Sequence, residues 1–307
     1  MRVVQRVCSK TSSRLVTDSY TFFKYGAAYQ FFAACFAVVT AIAIGFDGIN
    51  LQTIVCSAIS AVLFGIDLFC GIESIKGCSL VVANTFANGG LIVSVAASYI
   101  WFGEGVSVFQ IAGLVVFFVS VYLLSITKKD EKVNKITSKT LILLIIDLIV
   151  NGAVMIVQKY FALKVVGGNT AVFSLFTFAF CAAIMAACAF VERLKLRSAD
   201  LPTVPTENAV KTDKKPFLCG KLVVCAAALA LALFVINYLI TEMGQYVDSV
   251  ILFPVSSAIS AVITALVGAL VYKEKPNAFG VAGIILGLVS IILLSVFTPA
   301  LVARIFG

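Results

Sequence analysis

The sequence predicts an all-α polytopic membrane protein made of two inverted five-helix repeats. The first helix of the first repeat reads as truncated, which leaves about nine complete transmembrane helices. Three observations carry this prediction. The 307 residues are 61% hydrophobic and 12% charged, about half the charged fraction of an ordinary soluble domain. Nine apolar runs long enough to cross a bilayer divide the chain. A stretch of the first half also returns in the second half at a fixed register.

The runs cover residues 22–45, 51–75, 78–102, 106–126, 139–163, 168–191, 219–241, 247–272 and 277–297. Each approaches or exceeds the roughly 20 residues that a helix needs to cross a hydrocarbon core. Two polar segments interrupt them. Ser125–Lys139 divides the chain near its middle, and Glu192–Lys221, with three prolines and seven basic residues, reads as the longest exposed loop. The N-terminal MRVVQRVCSKTSSRL lacks the apolar core of an export signal. The nine cysteines, Cys8, Cys35, Cys56, Cys70, Cys78, Cys181, Cys188, Cys219 and Cys225, show no metal-ligand spacing. Most lie in apolar runs, where cysteine acts as a small hydrophobe, so no disulfide framework is expected.

Residues 102–126 align without a gap on 272–296, with nine identities in 25 positions. Glu104 meets Glu274, Ala112-Gly113 meets Ala282-Gly283, and Leu123-Leu124-Ser125 meets Leu293-Leu294-Ser295. The same offset pairs Ser79 with Ser249 and Asp67 with Asn237. A weaker echo sets Val4-Gln5-Arg6 against Val157-Gln158-Lys159. The chain therefore divides into a first repeat, 1–128, a linker, 129–138, a second repeat, 139–297, and a tail, 298–307. In the second repeat Val157 comes some 18 residues after its run begins at 139, whereas Val4 comes three after Met1, so roughly 15 residues of the first helix are expected to be missing. Two readings stay open here: a truncated or mis-started reading frame, and a genuine nine-helix protein with an amphipathic N-terminal segment.

An odd number of helices per repeat turns the second copy upside down relative to the first, a hallmark of membrane transporters. Threading the runs back and forth puts 20 of the 23 basic residues on one side and Lys159, Lys164 and Arg304 on the other. The net charge of +8 therefore reads as topology rather than as a nucleic-acid surface. By the positive-inside rule the crowded side is cytoplasmic, which leaves Gly307 outside. The total absence of histidine removes His-ligated zinc and haem and the Ser-His-Asp triad, and no phosphate-cradling Gly-x4-Gly-Lys loop is present. No cofactor, metal or catalytic residue is expected.

Polar side chains inside apolar runs mark functional sites by default, because lipid makes them expensive. Asp147 and Asn151 share a helical face at i, i+4, as do Asn84 and Asn88. Asp67 and Asp147 each lie about eight residues from the cytoplasmic end of their runs, roughly 12 Å deep at about 1.5 Å per residue. Asp67, Asn88, Asp147 and Asn151 are expected to line one cavity, with Gln158, Asn237, Tyr238, Ser256 and Ser257 as further candidates. A buried carboxyl could carry a coupling proton. The competing reading makes each Asn and Ser helix-to-helix glue. Glu104 and Glu274, at helix ends, fit a turn or helix-start role; Gly113 and Gly283 complete the repeated motif, and Gly283-x-x-x-Gly287 permits close helix approach. Pro254, inside its run, frees a backbone carbonyl and could kink its helix.

These features resemble the drug/metabolite transporter superfamily, in particular its EamA-like branch. The resemblance spans nearly the whole chain. It rests on the twofold five-helix repeat, on Glu104 and Glu274, on the Gln/Gly-x-Ala-Gly stretches 110–113 and 280–283, and on GQYVDSVILFPVSSAISAV at 244–262. It implies ten helices with both ends cytoplasmic, whereas the charge count leaves Gly307 outside. It also implies a plasma-membrane secondary transporter or exporter of a small metabolite or drug-like compound, driven by protons, ions or exchange. Its partners would be the lipid bilayer and a small-molecule substrate; substrate, direction and oligomeric state stay open. Two alternatives remain, a non-transporting membrane protein lacking its first helix and an intramembrane aspartyl protease. The Gly-x-Gly-Asp pattern of such proteases is absent at both Asp67 and Asp147.

Overall fold

The computed structural model describes residues 19–77, 80–126, 137–199, 220–259 and 278–296. Among the described residues the chain is helical, with no strand. The helices are α1 (Ser19–Ile44), α2 (Leu51–Gly77), α3 (Leu80–Phe102), α4 (Val108–Ile126), α5 (Ser138–Lys164), α6 (Thr170–Ala199), α7 (Gly220–Met243), α8 (Ser249–Ile259) and α9 (Ala278–Val296). Segments this apolar form helices because lipid offers nothing to an unpaired N–H or C=O, so each segment must satisfy its own backbone. Among the described residues five helices, α1, α2, α5, α6 and α7, are long and apolar enough to cross a membrane. The outward faces of the helices suit lipid: Val39 and Ile42 of α1 and Trp101 of α3 are each about two-thirds exposed, a surface that water would not tolerate over such an area. The chain is thus a multi-pass membrane protein.

The helix starts fall within three residues of the apolar runs, with one correction at a C-terminus. The segment from Glu192 reads from sequence as loop, but α6 continues to Ala199 and carries Arg193, Lys195 and Arg197. Hydropathy measures the thickness of lipid, not the length of a helix. Beyond the lipid the last turns of α6 are supported by helix-forming residues and by the Glu192–Lys195 pair at 2.8 Å.

α1 packs along α6, α4 along α9, and α5 against both α2 and α3; α2 also meets α6, and α1 meets α7. The largest core joins Phe22, Tyr25 and Tyr29 of α1 to Phe64 of α2, Phe178 of α6 and Phe234 of α7. A second joins Leu91, Phe117 and Phe253 from α3, α4 and α8. α4 and α9 run antiparallel. A Cβ on Gly113 would stand 2.9 Å from Leu293 Cβ, while seven residues further along α4 Ser120 Oγ donates to the Gly283 carbonyl at 2.7 Å. Glycine at 113 lets these backbones approach. α4 starts on a capping box in which Ser107 N donates to Gln110 Oε1 (3.0 Å) and Gln110 N donates to Ser107 Oγ (3.1 Å).

At the same end of the bundle the α1–α2 and α5–α6 turns interlock. Asn50 caps α2, accepting from Thr53 N at 2.7 Å, and Asn169 caps α6, accepting from Ala171 N at 2.8 Å. Asn169 Nδ2 also donates to the Gly45 carbonyl at 3.1 Å. Gly48, with φ +80°, lies so close that a Cβ there would collide with the Gly167 carbonyl and stand 2.8 Å from Asn169 N.

Candidate functional site

The interior polar groups are organised by α5. Asp147, Asn151 and Gln158 are separated by four and seven residues, so they line one face of the helix. The stripe is about 16 Å long at about 1.5 Å per residue. Asp147 and Gln158 are 4% and 3% exposed, although α5 also carries lipid-facing apolar residues.

The stripe meets α2 at one level and α7 at another. Asn151 Nδ2 donates to Asp67 Oδ1 of α2 at 3.4 Å. Asp147 packs beside Gly71 of α2, where a Cβ would stand 3.7 Å from Asp147 Oδ1, and the two carboxyls lie within electrostatic reach of each other. Among the described residues neither acid has a basic partner. One turn and more toward the other end, Gln158 Nε2 donates to Asn237 Oδ1 of α7 at 2.8 Å, and Asn237 Nδ2 donates to the Leu233 carbonyl at 2.9 Å. Asp67 and Asn237, which match at the repeat offset, thus each hold a hydrogen bond to the same helix.

The remaining expected residues are placed as follows. The Tyr238 ring packs 5.7 Å from that of Phe234 beside the Asn237 cluster. Ser256 Oγ donates to the Phe253 carbonyl of its own helix at 2.9 Å, a bond that joins it to no second helix. Ser257 is buried on α8, as is Pro254. The side chain of Asn88 and the whole of Glu274 lie outside the described residues. Next to Asn88, Gly89 and Gly90 cross α5 at Gly152: a Cβ on Gly90 would stand 2.8 Å from Gly152 N, and one on Gly152 would stand 2.6 Å from Val93 Cβ. Reading the polar residues alone misses this crossing, though the Asn-Gly-Gly at 88–90 and the Asn-Gly at 151–152 carry its signal.

Lys159 is the second residue that the sequence underplays. It reads as one of three basic residues on the sparse side, yet it is 3% exposed. Its Nζ lies 2.8 Å from Glu104 Oε1 and donates to the Val247 carbonyl at 2.8 Å. Glu104 Oε2 in turn accepts from Ser249 N at 2.8 Å. That N–H belongs to the first turn of α8, which has no intrahelical acceptor for it. The expected helix-start role of Glu104 is therefore exercised on α8 rather than on the helix that follows it in sequence. The signal for Lys159 was its place inside an apolar run, directly after Gln158.

No protein-family model and no curated protein matches this chain. Its architecture does recur: a solved structure described only as "Crystal structure of protein" superposes with a TM-score of 0.67. The match covers 97% of this chain and 96% of that one at 14% identity, so the likeness is one of fold alone.

Proposed function

We propose that this chain is a secondary transporter of a small metabolite or drug-like compound, working in the plasma membrane by alternating access between two inverted repeats. On this reading it belongs to the drug/metabolite transporter superfamily, in its EamA-like branch. The observation that carries the proposal is the pairing of Asp67 with Asn151 and of Asn237 with Gln158. Asp67 of the first repeat bonds to α5 of the second, and its repeat-matched Asn237 bonds to the same helix at another depth from within the second repeat. The polar helix thus lies where a site between the repeats is expected. The antiparallel packing of the sequence-matched helices α4 and α9 supports the inversion. So does the exchange of contacts: α2 meets α6 as α7 meets α1. Asp67 and Asp147 are the coupling pair, since two neighbouring interior acids with no basic partner among the described residues call for a proton or a cation.

The test is uptake and counterflow in liposomes reconstituted with the full chain, with cargo chosen by a growth screen against metabolites and toxic cations. Substrate flux that responds to an imposed proton gradient and is lost in Asp67→Asn and Asp147→Asn is the expected result. Flux unchanged in both variants removes the coupling role. No flux of any screened compound favours a non-transporting protein.

A further inference from the structure

A groove of about 640 Å³ opens on the flank of the bundle between α2, the end of α3 and the end of α5. Its walls include Val55, Ile59, Trp101, Ile156, Tyr160 and Lys164. It does not contain the α5 polar stripe: Asp67, Asp147, Asn151 and Gln158 are absent from its walls. Its volume falls in the roughly 300–1,000 Å³ range of small-ligand sites. The groove runs along α2 from Leu51 to Ile59 and along α5 from Lys164 to Ile156, about 12 Å inward from the helix ends. Val55 and Ile59 are each about half exposed and Trp101 is 67% exposed, so the groove faces the lipid and not the interior.

Chemistry changes along its length. The deep part is apolar. At the mouth stand Trp101, Tyr160 and Lys164, the aromatic and basic residues that anchor a helix end at the headgroup level. Lys164 is exposed in the last turn of α5. Among the described residues no acidic side chain lines the groove, and its charged group is Lys164, a cation at headgroup height above an apolar slot. An ammonium at that height can form a charge-assisted hydrogen bond to a phosphate oxygen.

We infer that this groove is a binding site for an anionic phospholipid of the leaflet at the Lys164 end. An acyl chain lies between α2 and α5, and the headgroup phosphate rests on the Lys164 ammonium. On the charge count this is the outer leaflet. The site needs only the membrane placement of the chain and is independent of any transport activity.

The test is native mass spectrometry of the purified full chain titrated with phosphatidylglycerol, phosphatidylcholine or glycerol 3-phosphate. Phosphatidylglycerol is expected to be retained over phosphatidylcholine. Lys164→Gln should weaken its retention about fivefold, the effect of one basic residue at a charged lipid surface. Val55→Trp, which fills the slot, should abolish retention of the lipid, while Lys139→Gln at the far end of α5 leaves it unchanged. Retention unchanged in either groove variant overturns the inference. So does equal retention of the two lipids, or competition by glycerol 3-phosphate as strong as that by the lipid, because the slot would then contribute nothing.

Discussion

Lys159 Nζ lies 2.8 Å from Glu104 Oε1, with the two side chains only 3% and 8% exposed. The pair joins the α3–α4 turn to α5, and through Val247 and Ser249 it also holds the start of α8. Three chain segments far apart in sequence are therefore fixed by one ion pair at the end of the bundle. Its remaining hydrogen-bonding capacity goes to backbone groups that would otherwise be orphaned, and a carboxylate at a helix N-terminus is further favoured by the helix dipole.

Breaking one half of this pair leaves the other as an uncompensated buried charge, which costs about 3–5 kcal/mol. Lys159→Met and Glu104→Gln should each lower the apparent melting temperature of the detergent-solubilised protein sharply. The double variant should lose much less than the sum of the two, because neither leaves a charge behind. Additive losses in that double-mutant cycle would mean that the two residues act separately.

Much of this architecture is legible in the sequence for a plain reason. Apolar runs report the bilayer, and threading them alternately already brings Lys159 and the Glu104 turn to one end. Depth counted along the runs puts Asp67 level with Asp147, four residues from the Asn151 to which it bonds, so the neighbourhood is legible and the particular partner is not. Burial of Lys159 is hinted at by its place inside an apolar run but not decided there, because a lysine near a helix end can equally snorkel to water; only the fold of the Glu104 turn decides. The glycine crossing of α3 on α5 is hidden for a similar reason. Glycine permits close approach, but it does not name the neighbour.

That crossing makes a sharp contrast between two glycines of the same region. Gly152→Ala would press a methyl to 2.6 Å from Val93 Cβ and 2.8 Å from the Gly90 carbonyl, and overpacking of this kind costs about 1–3 kcal/mol. Gly71→Ala meets Asp147 Oδ1 at an ordinary 3.7 Å and should leave the melting temperature nearly unchanged. Size-exclusion profiles after graded heating separate the two. Equal sensitivity would contradict the close approach of α3 and α5.

The interlocked turns supply a backbone test. Gly48→Ala must place a side chain at φ +80° and against the Gly167 carbonyl. The left-handed conformation alone costs roughly 1–2 kcal/mol for a residue with a Cβ, and the collision adds to it. Thermal stability should fall by more than for Gly103→Ala, where φ is +66° but nothing lies within 4 Å of the added carbon. The difference between the two variants isolates the contact of the two turns from the conformational term.

The last prediction separates glue from cargo binding at the Gln158–Asn237 pair. An interhelical hydrogen bond in a membrane protein contributes only about 0.6 kcal/mol on average, so Asn237→Leu should barely move the melting temperature even though a 2.8 Å bond is lost. If the pair serves only to hold α5 to α7, flux in liposomes should fall no further than folded protein does. If Asn237 and Gln158 contact the cargo, flux should drop at least tenfold in Asn237→Leu and Gln158→Leu while the folded fraction is preserved. Asn237→Asp restores both acceptor and size and, by the register, reproduces in the second repeat what Asp67 supplies in the first. It should therefore keep the fold and shift the proton dependence of transport, an outcome that a merely structural hydrogen bond would not produce.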